Sequence, residues 1–185
     1  MSYALTCYTP SFRLATGQEA RPSHLARCRV SVAQQTIPVE HYIAWDARPG
    51  GSGIAGMYAQ VPTHAHRVTG AYVHILADDD VLAGPDVAER TMAIAERHAW
   101  PEVLIVCARK AGRILPSAPY PPRVGQIDLG CIICRRDVWQ AHVYDYGRRY
   151  EGDGDFAVAL HLAGRQFLYT DVLFETGEAM YGAPE

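Results

Sequence analysis

The sequence has almost no lysine and no long hydrophobic segment. Of its 17 basic residues only Lys110 is a lysine, and a formal net charge of −3 provides no overall basic field of the kind that draws proteins onto nucleic acid. No segment approaches the roughly 20 apolar residues that span a bilayer. The first ten residues have neither a charged leader nor a long apolar region. We therefore expect a soluble, cytoplasmic protein without a membrane span.

Several motifs that would identify a site directly are also missing. The glycine-rich stretch RPGGSGIAG at 48–56 matches neither GxxxxGK[ST] nor GxGxxG, so we interpret it as a connection and not as a phosphate loop. The five cysteines are odd in number, and the pair Cys131 and Cys134 has no second ligand pair to complete a zinc site. The sequence therefore predicts reduced, buried cysteines.

The length and composition are typical of one buried core. With 185 residues, of which 49% are hydrophobic and 20% charged, we expect a single domain over 1–185. The residue patterns predict strands at 3–8, 40–46, 72–77, 102–109, 128–135 and 166–172. They predict helices at 24–36, 57–68 with Pro62 near its start, 86–98, 137–143 and 155–163. Since a strand, helix and strand in succession form a parallel pair with a right-handed crossover, this order predicts an α/β fold.

Asp78, Asp79 and Asp80 directly follow the third predicted strand. Adjacent carboxylates repel one another unless a cation or a set of donors lies among them, so the triplet is either a solvated acidic turn or a divalent metal site. Ligands of α/β sheets bind at the carboxyl ends of the strands, and the segment 8–10 and Asp46 fall at two further strand ends. This convergence favours a site in which a divalent cation bridges the carboxylates and a diphosphate.

Four segments in order carry a family resemblance. They are SVAQQT (31–36), VEHYIAWD (39–46), VTGAYVHILADDDVL (68–82) and YEGDGDFAVALHLAGRQFLYTDV (150–172). Together they resemble the nucleotide-sugar-binding half of GT-A glycosyltransferases, especially the inverting family 2, over nearly the whole chain. The resemblance implies the Rossmann-like GT-A fold, a mostly parallel central sheet flanked by helices. It also implies a metal-dependent enzyme that moves a sugar from a nucleoside diphosphate-sugar, with a UDP-sugar as the expected donor, to a hydroxyl acceptor with inversion.

The resemblance also implies roles for the donor-site residues. Tyr8 and Thr9 would line the nucleobase pocket, and Asp46 would accept a hydrogen bond from the base. In the triplet, Asp78 would contact the ribose or the metal, and Asp79 would contribute to donor binding. Asp80 would ligate Mn²⁺ or Mg²⁺ against the donor diphosphate.

The same resemblance makes Asp153 the general base that deprotonates the acceptor. Glu151 and Asp155 remain alternatives, and the two aspartates could instead stabilise the dipole of the following helix. The chain departs from the family where Gly152 replaces the usual glutamate and where no histidine follows Asp171.

The acceptor is expected to be a saccharide or another hydroxyl compound. Arginine pairs at 135/136 and 148/149 flank the segment that the resemblance assigns to the acceptor side, and such pairs favour phosphate. A nucleic acid, including a hydroxymethylated base in DNA, is therefore the alternative acceptor, and an oligomer is compatible with the short chain. Another function class is a non-catalytic module that binds the nucleotide-sugar without turnover. A sugar-nucleotide pyrophosphorylase and a dehalogenase-type phosphatase fit the first strand end, YTPSFRLATG, less well.

Overall fold

A computed structural model describes residues 3–13, 16–19, 21–46, 53–110, 113–116, 121–146 and 151–175. Its strands are β1 (Leu5–Phe12), β2 (Val39–Asp46), β3 (Tyr72–Ile75), β4 (Val81–Leu82), β5 (Val103–Lys110), β6 (Arg113–Leu115), β7 (Ile132–Arg135) and β8 (Phe167–Glu175). Its helices are α1 (Pro22–Ala33), α2 (Gly53–His64), α3 (Val87–Arg97), α4 (Arg136–His142) and α5 (Gly152–Leu162). Short 3₁₀ turns cover Ala65–Arg67 and Leu129–Cys131. In these ranges no helix has the length and apolar character needed to cross a membrane.

The strands form one sheet in the order β2-β1-β3-β7-β5-β8-β4, with β6 paired to β5. Strands β2, β1 and β3 are parallel, and β8 is parallel to β5. Because β7 is antiparallel to both β3 and β5, all five of these strands run in the same direction. The predicted α/β fold with a mostly parallel central sheet is confirmed.

Burial on both faces of the sheet explains why β1 reads as a nearly continuous run of buried residues, from Leu5 to Ser11. Helix α1 packs against the sheet through Leu25, Cys28 and Val32, whose spacing of three and four residues places them on one face. On α3 the buried residues follow the same rule; they are Val87, Ala88, Thr91, Met92 and Ala95.

Prediction and structure differ at the end of β1, in the helix that contains Pro62 and at two short strands. The predicted first strand ends at residue 8, but β1 continues through Pro10 to Phe12. Because β3 pairs with β1 only as far as Tyr8, Pro10 has one neighbouring strand, β2. Its missing N–H therefore breaks no hydrogen bond to β3. The sequence predicts Pro62 near the start of a helix at 57–68. In the structure that helix is Gly53–His64, so Pro62 lies near its end. The strands β4 and β6 are two and three residues long, too short to show a period in the sequence.

Candidate functional site

The acidic triplet lies at the carboxyl edge of the sheet, separated by two residues from the end of β3, and it is buried. Asp78, Asp79 and Asp80 are 6%, 6% and 4% exposed. Ser11, near the end of β1, donates a hydrogen bond from Oγ to Asp78 Oδ2 at 2.8 Å. The guanidinium of Arg21 lies 3.3 Å from Asp78 Oδ1 and 3.5 Å from Asp79 Oδ2. The triplet is therefore held by donors from β1 and the start of α1, and it is not a solvated turn.

The electrostatics of the triplet favour a cation. Burial raises the pKa of Asp78, and the hydrogen bond from Ser11 and the charge of Arg21 oppose that rise only in part. The neighbouring charge of Asp79 raises the same pKa further. Several carboxylates share a poorly hydrated space, so additional positive charge would stabilise their ionised form.

The SVAQQT segment at the end of α1 holds the chain that follows the triplet. Gln35 Nε2 donates to the carbonyl of Gly84 at 2.8 Å, and its Oε1 accepts from the N–H of Ala88 at 2.9 Å. Ser31 Oγ accepts from the N–H of Leu82 at 3.2 Å. These bonds fix the segment between β4 and α3, and so they limit how far the triplet can move.

The side chains of Tyr8 and Thr9 point to opposite faces of β1 and are both 0% exposed. The Tyr8 ring stacks on Tyr42 at 5.8 Å and contacts Trp139 at 5.5 Å between ring centroids. Neither side chain has exposed surface for a nucleobase, which differs from the expectation that both line the base pocket. The physical reason is that covering helices fill both faces of this central strand, which places Tyr8 in the core.

Thr9 belongs to a polar layer close to the triplet. Its Oγ1 lies 2.9 Å from His41 Nε2 and 3.8 Å from Cys28 Sγ. Burial lowers the pKa of His41 to about 4. The pKa of the Cys28 thiol is raised to about 12, first by burial and then in part by the charges of all three aspartates. Thr9 therefore contacts buried polar side chains that lie near the acidic triplet.

Asp46 lies at the same edge of the sheet as the triplet. It is the last residue of β2, is half-buried, and is in register with Phe12 of β1, one residue beyond Ser11. The guanidinium of Arg13 lies over the ring of the neighbouring Trp45, 4.5 Å from the ring centroid. The structure thus brings Asp46 toward the triplet, and its contact with a base stays a prediction.

Asp153 lies in the first turn of α5, and its Oδ1 accepts from the N–H of Gly154 at 2.7 Å. Its charge contributes to raising the pKa of Cys131, which immediately precedes β7. Because β7 is antiparallel to β3, the start of β7 adjoins the end of β3 that leads to the triplet. Asp153 therefore lies toward the same sheet edge as Asp78.

Glu151 and Asp155 lie within two residues of Asp153, and the N–H of Asp155 donates to the carbonyl of Glu151 at 3.1 Å in the first helical turn. All three acidic side chains are half-buried. Their assignment as alternative bases therefore stays open on position alone.

The arginines at 135/136 lie at the opposite edge of the sheet. Arg135 is in register with Tyr72, the first residue of β3, and its guanidinium makes two hydrogen bonds to Asp137, at 2.6 and 3.0 Å. Arg136 donates to the carbonyl of Thr69 at 2.6 Å. Because the chain reverses through β7, both residues lie away from the triplet, and the expectation that this pair flanks the acceptor side stays a prediction. Residues 148 and 149 lie outside the described residues.

Asp78 and Asp80 offer carboxylate oxygens, the kind of ligand that a divalent cation takes, and their role as metal ligands stays a prediction. Within the described ranges, no group of three or more His, Cys, Asp or Glu side chains converges to hold a metal ion. Mg²⁺ in nucleotide sites commonly takes only one or two carboxylates, together with phosphate oxygens and water. The burial and raised pKa of Asp78 agree with a site that gains from such an ion.

Ser11 and Arg21 were not predicted as site residues. Ser11 is 67 positions from Asp78 and Arg21 is 57, so only the fold brings them together. The signal for Ser11 was its place one residue beyond Pro10 at the end of β1. For Arg21 the sequence contains no comparable signal.

No protein-family model and no curated protein sequence matches the chain. Solved structures do. Two structures of TarS 1-349 from S. aureus, the second in complex with UDP-GlcNAc, superpose with TM-scores of 0.66 and 0.65 at 12% and 14% identity, covering 93% and 98% of this chain. The mannosyltransferase PcManGT from Pyrobaculum calidifontis, in complex with GDP-Man and Mn²⁺, superposes with a TM-score of 0.67 at 11% identity over 98% of this chain.

The chain spans 59–61% of the length of these solved structures. At such low sequence identity the likeness shows the fold and leaves the activity to be argued from the site. The chain therefore has the GT-A fold that it shares with these glycosyltransferases.

Proposed function

We propose that the protein is a metal-dependent glycosyltransferase that moves a sugar from a nucleoside diphosphate-sugar, with a UDP-sugar as the expected donor, to a hydroxyl acceptor. The observation that carries the proposal is the buried triplet of Asp78, Asp79 and Asp80 at the carboxyl edge of a GT-A fold. Two features of similar structures support it: TarS was solved with UDP and with UDP-GlcNAc, and PcManGT with GDP-Man and Mn²⁺.

The donor would lie along the ends of β1, β2 and β3. Asp46 would accept a hydrogen bond from the base, and Asp78 and Asp79 would orient the ribose and the diphosphate. Asp80, together with Asp78, would hold Mn²⁺ or Mg²⁺ through carboxylate oxygens. When bound, the cation offsets the charge that builds on the leaving nucleoside diphosphate.

Asp153 would accept the proton of the acceptor hydroxyl, so that the hydroxyl oxygen attacks the anomeric carbon from the side opposite the leaving diphosphate and inverts it. Its position in the first turn of α5, toward the same sheet edge as the triplet, supports this role. Glu151 and Asp155 are the alternatives within two residues. A saccharide or other small hydroxyl compound is the proposed acceptor, because Arg135 and Arg136 do not lie at this edge.

Calorimetry with UDP, GDP and CDP, each with Mn²⁺ and then with EDTA, tests donor binding. We expect UDP to bind with Mn²⁺ and to lose its affinity in EDTA. Equal, metal-independent binding of all three nucleotides would contradict the proposal. Hydrolysis or transfer of labelled UDP-sugar then separates an enzyme from a non-catalytic module, which would bind UDP and Mn²⁺ without turnover.

A further inference from the structure

We propose that Arg21 is a built-in counter-cation of the acidic triplet, so that a divalent ion binds weakly until a nucleotide donor is present. The inference rests on the proposed function and concerns the same site. Its basis is the bridging guanidinium, 3.3 Å from Asp78 Oδ1 and 3.5 Å from Asp79 Oδ2. The side chain of Arg21 is 36% exposed, whereas those of the two aspartates are 8% and 5% exposed.

Both oxygens of Asp78 already have partners. Oδ2 accepts from Ser11 and Oδ1 faces Arg21. A metal ion that arrives alone must compete with the guanidinium for Asp78 and is repelled by its charge. A donor diphosphate adds negative charge that the arginine and the metal can share, so the competition is relieved when metal and donor bind together.

The side chain of Arg21 can be replaced without removing the start of α1. Arg21 is the residue immediately before the helix; its side chain makes no capping hydrogen bond, and its backbone carbonyl accepts from the N–H of Leu25 at 3.0 Å. Arg29, on the same helix, provides a matched control because its guanidinium pairs with Glu19 at 3.0 Å. Removing either arginine changes the net charge equally, but the guanidinium of Arg21 lies against Asp78 and Asp79 whereas that of Arg29 pairs with Glu19.

The test measures Mn²⁺ binding in the absence of nucleotide, by electron paramagnetic resonance of the free ion. Arg21→Gln and Arg21→Met should bind Mn²⁺ about tenfold more tightly than the unmodified protein, since one nearby positive charge is removed. Arg21→Lys and Arg29→Gln should bind Mn²⁺ as the unmodified protein does. Thermal unfolding of each variant confirms that it is folded, and the two neutral replacements give independent readings of the same change.

A folded neutral variant that binds Mn²⁺ no more tightly, or a gain equally large in Arg29→Gln, would overturn the role of Arg21. A parallel titration with UDP separates this from the proposed function. If no variant binds UDP with Mn²⁺, the glycosyltransferase proposal fails, while the comparison of Mn²⁺ alone still decides whether Arg21 is the counter-cation.

Discussion

Gly154 packs so closely against Val124 that a Cβ atom on the glycine would lie 2.7 Å from the Val124 Cα atom. The first turn of α5, which carries Asp153, can therefore approach residues 124 and 125 only because residue 154 has no side chain. We predict that Gly154→Ala lowers the free energy of unfolding by about 1–3 kcal/mol, because the backbone at Val124 or at the start of α5 must shift to make room for the methyl group. Urea denaturation measures this change in the free energy of unfolding. A sugar-transfer assay measures whether turnover falls with it, as expected if the shift displaces Asp153.

Gly84→Ala is the matched control for this substitution. A Cβ atom on Gly84 would lie 3.3 Å from Asp86 Oδ1, the end of a side chain that can rotate away. We expect Gly84→Ala to lower the free energy of unfolding much less than Gly154→Ala does. Equal stability losses at the two positions would show that the approach of α5 to Val124 is not sterically limited.

The sequence was sufficient for those parts of the structure that depend on local spacing. Alternating strands and helices predicted the α/β sheet, and the run of three aspartates after a buried strand predicted the position of the acidic site. Contacts over long sequence separations could not be read in the same way. Ser11 and Arg21 reach Asp78 only because α1 begins at the edge where β1 ends.

The expectation for Tyr8 and Thr9 shows a second limit. Two consecutive residues of a strand point to opposite faces, so both side chains could not line one pocket. On β1 it is Ser11, two residues beyond Thr9, whose side chain contacts the triplet, through its hydrogen bond to Asp78. The sequence pattern also carries no direction for β7, so the place of the arginines at 135/136, away from the triplet, could not be read from it.

Binding and chemistry should separate at Asp80 and Asp153. We predict that Asp80→Ala abolishes metal-dependent UDP affinity, because it removes a carboxylate oxygen from the proposed cation site. Asp153→Asn should leave that affinity unchanged and lower turnover by about 10²–10⁴-fold, because the amide cannot accept the proton. The asparagine still offers an oxygen to the N–H of Gly154, so the helix start is preserved. Calorimetry and initial rates measure the two effects.

Asp155→Asn, two residues along the same helix, is the control for this comparison. Near-normal turnover in the Asp155 variant, with loss in the Asp153 variant, supports the proposed base. The reverse result would assign the base to Asp155, and activity in both variants would direct attention to Glu151.

The hydroxyl of Tyr8 is buried and, among the described residues, has no hydrogen-bond partner. We predict that Tyr8→Phe leaves the free energy of unfolding unchanged or raises it by about 1 kcal/mol, because it removes an unsatisfied polar group while keeping the ring stacked on Tyr42. Tyr72→Phe should lower it by about 1–2 kcal/mol, since the Tyr72 hydroxyl donates to the carbonyl of Pro101 at 2.6 Å. UDP affinity should be unaffected by Tyr8→Phe. A marked loss of affinity would restore Tyr8 to the base pocket.

His74 should make the fold sensitive to acid. Its Nε2 lies 2.6 Å from the carbonyl oxygen of Gly130, so this nitrogen carries the proton that is donated, and burial lowers the pKa of His74 to about 4. An unfolded histidine has a pKa of about 6.5. Between these values the unfolded chain binds one more proton than the folded chain, so the free energy of unfolding is fully retained above pH 6.5 and falls as the pH drops toward 4.

For this single group the slope approaches about 1.4 kcal/mol per pH unit, and His41, whose pKa is also lowered to about 4, adds a second contribution. We predict that His74→Gln, which keeps an N–H donor, gives a shallower fall between pH 6.5 and 4.5 in urea denaturation. His66→Gln, at an exposed position, should leave the slope as it is in the unmodified protein. If His74→Gln showed the same slope as the unmodified protein, the acid sensitivity would belong to another group, with His41 the first to test.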